Sequence, residues 1–167
     1  MITTIARACL SSVLGAAIAY ASIMLINSVQ AQTNCRPATR PEIAELFNRW
    51  NRSLQTGDPN LVTHNYARNG VLLPTVSNQM RRNHEEIQDY FVKFLELKPV
   101  GKINSSNIRL YCGVAIDSGI YTFTLTSNGQ IQEVRARYTF VYNKVGNRWL
   151  IAEHHSSAMP EAITTSK

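Results

Sequence analysis

The chain has 167 residues, 44% of them hydrophobic and 17% charged, which is enough apolar material for one core and far from the composition of a disordered polypeptide. Its 17 Lys and Arg exceed 11 Asp and Glu, for a formal charge of +6, but the excess is spread along the chain. Without an aromatic-interleaved basic stripe or zinc-finger spacing, this charge does not indicate nucleic-acid binding.

Met1–Arg7 carries one positive charge, Ala8–Ile26 is small and apolar, and Val29-Gln30-Ala31 is a small-residue ending. This order predicts a signal peptide over residues 1–31, cleaved after Ala31, and so an exported protein, periplasmic or extracellular. An uncleaved anchor is the alternative reading, because the apolar run approaches the roughly 20 residues that cross a bilayer. No later segment reads as a membrane span, so no membrane contact is expected after cleavage. Residues 32–38 read as a mature N-terminal extension. Loss of Cys9 with the signal leaves Cys35 and Cys112, an even pair in a compartment that permits disulfides. A Cys35–Cys112 bridge is one reading and two independent thiols the other.

A folded domain is expected over residues 39–161, with a frayed tail over 162–167. Thr39-Arg-Pro-Glu42 combines an N-cap hydroxyl, an early proline and a carboxylate three residues on, which starts a helix. Ile43, Leu46, Phe47, Trp50 and Leu54 follow at helical spacing, and Gly57-Asp58-Pro59 ends it. A short second helix is expected through Leu61, Val62 and Tyr66, then a brief strand or extended segment over Gly70–Pro74. Asn83-x-x-Glu86 caps a third helix with the stripe Ile87, Tyr90, Phe91, Phe94 and Leu95, ending near Pro99. From Lys102 the period changes to alternation, predicting four antiparallel strands at Ile103–Tyr111, Ile120–Thr126, Ile131–Tyr142 and Arg148–Ser157. Asp117-Ser-Gly119, Ser127-Asn-Gly129 and Asn143–Asn147 read as the hairpin connections. The fold class is α+β, with N-terminal helices packed on one face of a curved antiparallel sheet.

Three polar clusters stand out: Leu72-Leu-Pro-Thr75-Val-Ser77, Asp89-Tyr90-Phe91 and His154-His155-Ser156-Ser157. Tyr90 sits in a helical apolar stripe, so its phenol is aimed inward and needs a partner. Strand side chains alternate, so Leu150, Ala152, His154 and Ser156 share one face and Trp149, Ile151, Glu153, His155 and Ser157 the other. The first face, free of charge, is expected to be inward, which aims His154 and Ser156 at a pocket and leaves His155 and Ser157 as the fallback pair. On the preceding strand either Arg135, Arg137, Thr139 and Val141 or Tyr138, Phe140 and Tyr142 face inward. Adjacent histidines diverge and no His-x-His occurs, so a zinc site is hard to assemble.

The segments LFNRWNRSLQTGDP, VLLPTVSN, IQDYFVKFL, ARYTFVY and WLIAEHHSSAMPE, read together, resemble the family that joins the association domain of calcium/calmodulin-dependent protein kinase II to the iota-class carbonic anhydrases. HHSSxxP with LLPTxS and DYFxxFL resembles the carbonic anhydrase branch. The resemblance implies a nuclear transport factor 2-like cone, self-association with a dimer expected, and reversible hydration of carbon dioxide to bicarbonate. Carried over by motif, the catalytic groups are Thr75, Tyr90, His154 and Ser156, and Arg137 matches a pocket arginine that would bind the anion. Members of the family have been treated both as metal-free and as users of a divalent metal such as zinc or manganese; the residues here favour no metal. In that reading the hydroxyls hold carbon dioxide or bicarbonate oxygens, and a neutral His154 takes or relays a proton of the attacking water. The competing readings are a non-catalytic oligomerisation module binding a small carboxylate, and an isomerase-like or cyclase-like enzyme. The last would need an inward carboxylate, and Asp89 and Glu153 are placed on the wrong faces for it.

Overall fold

The computed structural model describes residues 38–161. The expected signal peptide, Cys35 and the tail after residue 161 lie outside the described residues. Among the described residues no helix is long and apolar enough to cross a membrane.

Helix α1 spans Arg40–Leu54 and buries Ile43, Leu46, Phe47, Trp50 and Leu54, the five positions its spacing singles out. Its start is the expected capping box: the Thr39 backbone N–H donates to Glu42 at 2.7 Å, and the Glu42 N–H donates to the Thr39 hydroxyl at 3.4 Å. Helix α2, Pro59–Thr63, is a single turn capped by Asp58. It ends before Tyr66, so the expected placement of Tyr66 in this helix is corrected: Tyr66 opens strand β1, Tyr66–Leu73. Helix α3, His84–Phe94, is capped by Asn83 and buries Ile87 and Phe91. A 3₁₀ turn over Leu95–Leu97 leads to Lys98, held at φ 47° before Pro99.

Strands β2 (Val100–Leu110), β3 (Val114–Ser127), β4 (Gln130–Val145) and β5 (Arg148–Ala158) complete a five-stranded sheet of order β1-β5-β4-β3-β2. The extended segment before the third helix is thus a full edge strand, and it runs parallel to β5, not antiparallel like the others. Two of the three expected hairpins are present, at Asn128-Gly129 and Gly146-Asn147. The third is corrected: Asp117-Ser-Gly119 lies inside β3, and the chain reverses at Tyr111–Gly113 instead. Gly119 marks a close backbone approach rather than a turn, because a Cβ there would stand 1.9 Å from the Ser105 carbonyl oxygen, beside the register shift between Ile103 and Ser105.

The core sits between the helices and the inner face of the sheet. Trp50 is its centre, with ring centroids 5.5 Å from Phe140, 6.1 Å from Phe123 and 6.3 Å from Phe91. The ambiguity on β4 resolves to Ala136, Tyr138, Phe140 and Tyr142 inward. On β5 the expected alternation fails in an informative way. Ile151, assigned outward, is buried along with His154 and Ser156, while Ala152 and Leu150 are only partly covered. A register shift between Val141 and Tyr142 of β4 places Ala152 opposite no partner, a bulge that resets the phase so that both ends of β5 turn their chosen side chains to the core.

Candidate active site

A cavity of about 290 Å³ opens between α3, the end of β1 and the inner face of β3–β5, walled mainly by aromatic and aliphatic side chains. Its polar groups come from separate elements. Strand β5 contributes His154 and Ser156, both buried. Parallel pairing of Leu72 with His154 and Leu73 with His155 carries the chain leaving β1 alongside the end of β5, so Thr75 arrives at Ser156, and their hydroxyls are hydrogen-bonded. The loop is held there because Leu72 and Arg81 exchange two backbone hydrogen bonds of 2.8 Å.

Behind this pair lies a buried chain of polar groups. Tyr121 donates its phenol proton to Ser156 Oγ over 2.5 Å, and its oxygen stands 3.4 Å from His154 Nε2. The other ring nitrogen, Nδ1, is 3.0 Å from the Tyr66 phenol. A phenol that donates to Ser156 must accept from the imidazole, so the network assigns the ring proton to Nε2 and makes Tyr66 the donor to Nδ1. Ser156, already an acceptor from Tyr121, shares one further hydrogen bond with Thr75, in which either hydroxyl can be the donor. The O–H and N–H bonds then run one way from Tyr66 to the Ser156–Thr75 pair, which spends one of its two hydroxyl protons on its own bond and keeps the other for the cavity, an arrangement in which each bond polarises the next.

Burial sets the electrostatics. His154 stacks on Phe140 at 4.0 Å and meets the edge of Trp50 at 5.2 Å. That desolvation, helped by neighbouring His155, pushes its pKa down to about 3. The expectation that this imidazole takes a proton from water is therefore corrected: both nitrogens face phenols, and so weak a base takes up no second proton at neutral pH. It orients Tyr121 instead. Burial raises the pKa of Tyr121 and Tyr66, keeping both as neutral donors.

Of the expected site residues, the structure brings Thr75, His154 and Ser156 into one cluster. Tyr90 also lines the cavity, but its inward phenol has no hydrogen-bond partner among the described residues. It stacks on Phe94 at 5.7 Å, and burial lifts its pKa to about 12 against the opposing pull of Arg81. Arg137 is a correction. Tyr138 and Phe140 claim the inner face, so Arg137 is exposed on the outer one, donating to Ser157 Oγ at 3.2 Å. The fallback pair His155 and Ser157 share that outer face. Cys112 is disulfide-bonded.

Sequence reasoning missed Tyr66 and Tyr121. Tyr121 alternates inward with Phe123 within Ile120–Thr126, the part of β3 that the sequence predicts, so the signal is present for it. Asp117 was missed as well, by assignment to a turn. It is buried and faces inward, 2.5 Å from Ser106 and 3.2 Å from the Tyr138 phenol, and burial raises its pKa. It does not line the cavity. Asp89 and Glu153 are exposed.

The donors at the cavity do not fit zinc or manganese. The single imidazole has both nitrogens engaged, and among the described residues no three of His, Cys, Asp and Glu stand together as metal ligands.

Comparison with known proteins agrees with this architecture. Among curated proteins, none matches the chain. A crystal structure described as a calcium/calmodulin dependent protein kinase II association domain from Xanthomonas campestris is 53% identical, covering 75% of this chain and 91% of that one with a TM-score of 0.73. A nuclear transport factor 2-like superfamily protein from Salmonella enterica shares 22% identity over 76% of this chain and 96% of its own, with a TM-score of 0.63. A protein from Streptomyces avermitilis, described as a dehydratase of the same superfamily, has only 8% identity over 71% and 95% of the two chains, with a TM-score of 0.64. These last two show the fold alone. Residues 39–160 match the calcium/calmodulin dependent protein kinase II association domain family, so this chain belongs to that family and carries its nuclear transport factor 2-like fold.

Proposed function

We propose that this protein catalyses the reversible hydration of carbon dioxide to bicarbonate without a metal. The observation that carries the reading is the one-way hydrogen-bond chain ending in the paired hydroxyls of Ser156 and Thr75, at the inner end of an otherwise apolar cavity. The resemblance of the HHSS, LLPTxS and DYF segments to iota-class carbonic anhydrases supports the same chemistry.

Carbon dioxide is neutral and apolar, so entry into such a cavity costs little desolvation. Water oxygen then bonds to the carbon, one C=O π pair moves onto its oxygen, and the water's proton leaves to solvent buffer at the mouth. Thr75 and the unpartnered Tyr90 phenol are the donors available to the oxygen that gains charge. Preorganised donors of this kind act where the charge develops, in a site with little water. His154 and Tyr121 hold Ser156 and Thr75 in the donating orientation. None of the cavity-lining residues is a cation, which weighs against retention of a carboxylate and favours release of the charged product. Arg81 and Lys93, with Asp89 beside them, line a neighbouring pocket of about 320 Å³ that shares the Tyr90 wall and gives bicarbonate an exit.

The family assignment further supports self-association, with a dimer as the simplest form, and the expected signal segment would place the protein outside the cytoplasm. The test is stopped-flow carbon dioxide hydration with chelator-treated protein. Acceleration that survives chelation supports the proposal. Absence of acceleration overturns it, and activity that returns only with added metal overturns its metal-free part.

A further inference from the structure

A cavity of about 290 Å³ is oversized for a three-atom gas. One water occupies about 30 Å³ of liquid, and an apolar cavity of about 150 Å³ is enough to hold benzene. The space here would take two fused rings. Its walls suit them: Phe91, Phe94, Phe123 and Leu125 surround the volume with ring faces and aliphatic carbon. The polar side chains of the lining are Gln132, the neutral Tyr90 phenol, the Thr75–Ser156–Tyr121–His154 cluster and Trp50, whose buried indole N–H has no hydrogen-bond partner among the described residues. Because no Lys, Arg, Asp or Glu lines the cavity, a charged ligand would lose its hydration without compensation. Because the Ser156–Thr75 pair keeps one hydroxyl proton unspent and the Tyr90 phenol is unpartnered, a ligand gains most by bringing an acceptor oxygen.

From these features we infer that the cavity is also a binding site for neutral organic carbonyl compounds of about ten heavy atoms, seated with the carbonyl oxygen on Thr75 and Tyr90 and the ring system among Phe91, Phe94 and Phe123. This goes beyond carbon dioxide hydration and needs nothing from it. Such a compound would occupy the same volume as carbon dioxide and exclude it.

The probe is 1-indanone, with indane as the same skeleton lacking the oxygen and benzoate as a charged ring, each titrated into the full chain by calorimetry. 1-Indanone should bind saturably at one site per chain and two- to tenfold more tightly than indane, the range one net hydrogen bond supports. Benzoate should bind at least tenfold more weakly than 1-indanone. Thr75→Val combined with Tyr90→Phe should bring 1-indanone to within twofold of indane, and Val134→Phe, which fills the volume from β4, should weaken both at least tenfold. If either variant fails a thermal-melt check for folding, amide NMR shifts of the unmodified protein locate the ligand, and clustering at Thr75, Ala136 and Ser156 is the supporting result. The inference is overturned if 1-indanone does not saturate, if indane binds as tightly, if benzoate binds best, or if the shifts cluster elsewhere. Hydration measured on the same samples keeps the two readings apart: turnover without ligand binding sinks this inference alone, and binding without turnover sinks the enzymatic one alone.

Discussion

Acidification should destabilise this protein through His154. Its imidazole is buried and its pKa is pushed down to about 3 from an ordinary value of 6.5. The unfolded chain therefore binds a proton below pH 6.5 that the folded chain refuses until about pH 3. Stability falls as pH drops across that window and is intact above it. Between pH 7.5 and 4.5 the loss integrates to roughly 2.7 kcal/mol at about 1.36 kcal/mol per pH unit. The figure depends little on the folded-state pKa so long as that value stays below 4. For a domain of this size it corresponds to a fall in Tm of about 8–13 °C. Asp117 works in the opposite direction, because burial raises its carboxyl pKa: the folded state keeps that proton longer, and the stabilisation fades as pH rises through the raised value. A comparison with His154→Gln, which keeps a hydrogen-bonding amide but cannot titrate, cancels the Asp117 contribution. Urea denaturation at both pH values should show the variant losing about 2–3 kcal/mol less than the parent. Equal acid sensitivity in the two proteins would refute the reasoning.

Ser156→Ala removes the acceptor of Tyr121 and the partner of Thr75, and carbon dioxide hydration should fall about 10²–10³-fold, as when one preorganised donor is lost. His154→Ala should lower hydration by no more than Ser156→Ala does, while His155→Ala stays within about twofold, since one ring is 3% exposed and orients Tyr121 and the other is outward, in solvent. Gly119→Ala should cost about 1–3 kcal/mol or more in a chemical-denaturation midpoint, because its Cβ would meet the Ser105 carbonyl oxygen at 1.9 Å and backbone must move.

Local chemistry made much of the fold legible. The capping box at Thr39, the N-cap at Asn83 and the apolar stripes behind them name their helices because those signals act within a few residues. The β4–β5 and β3–β4 turns were legible for the same reason, Asn and Gly being able to take the positive φ found at Asn128, Gly129 and Gly146. The errors share an opposite cause. Gly119 looks like a turn residue until the bulge on β2 presses a carbonyl against it, and that contact joins residues far apart in sequence. Strict alternation on β5 would have forced a choice between burying Ile151 and burying His154, and only pairing with β4 reveals the unpaired Ala152 that lets both occur. The site was half legible. Thr75, His154 and Ser156 are legible because they cluster in short motifs, whereas Tyr66 is hidden by its expected place in a helix and Arg137 is misplaced because the family resemblance chose it where the pattern of β4 leaves both faces open.

The Tyr66 phenol never reaches the cavity, yet it decides what the cavity offers. By giving its hydrogen to one nitrogen of His154 it fixes which tautomer the ring adopts, and that tautomer sets the sense of the bonds as far as Ser156. Were that hydrogen withheld, the imidazole could turn its other lone pair toward Tyr121, Ser156 would spend its proton on the phenol and accept from Thr75, and the pair would have no proton left for the cavity. The sign of the pocket is thus written at its far, solvent-free terminus, by a residue no incoming molecule touches.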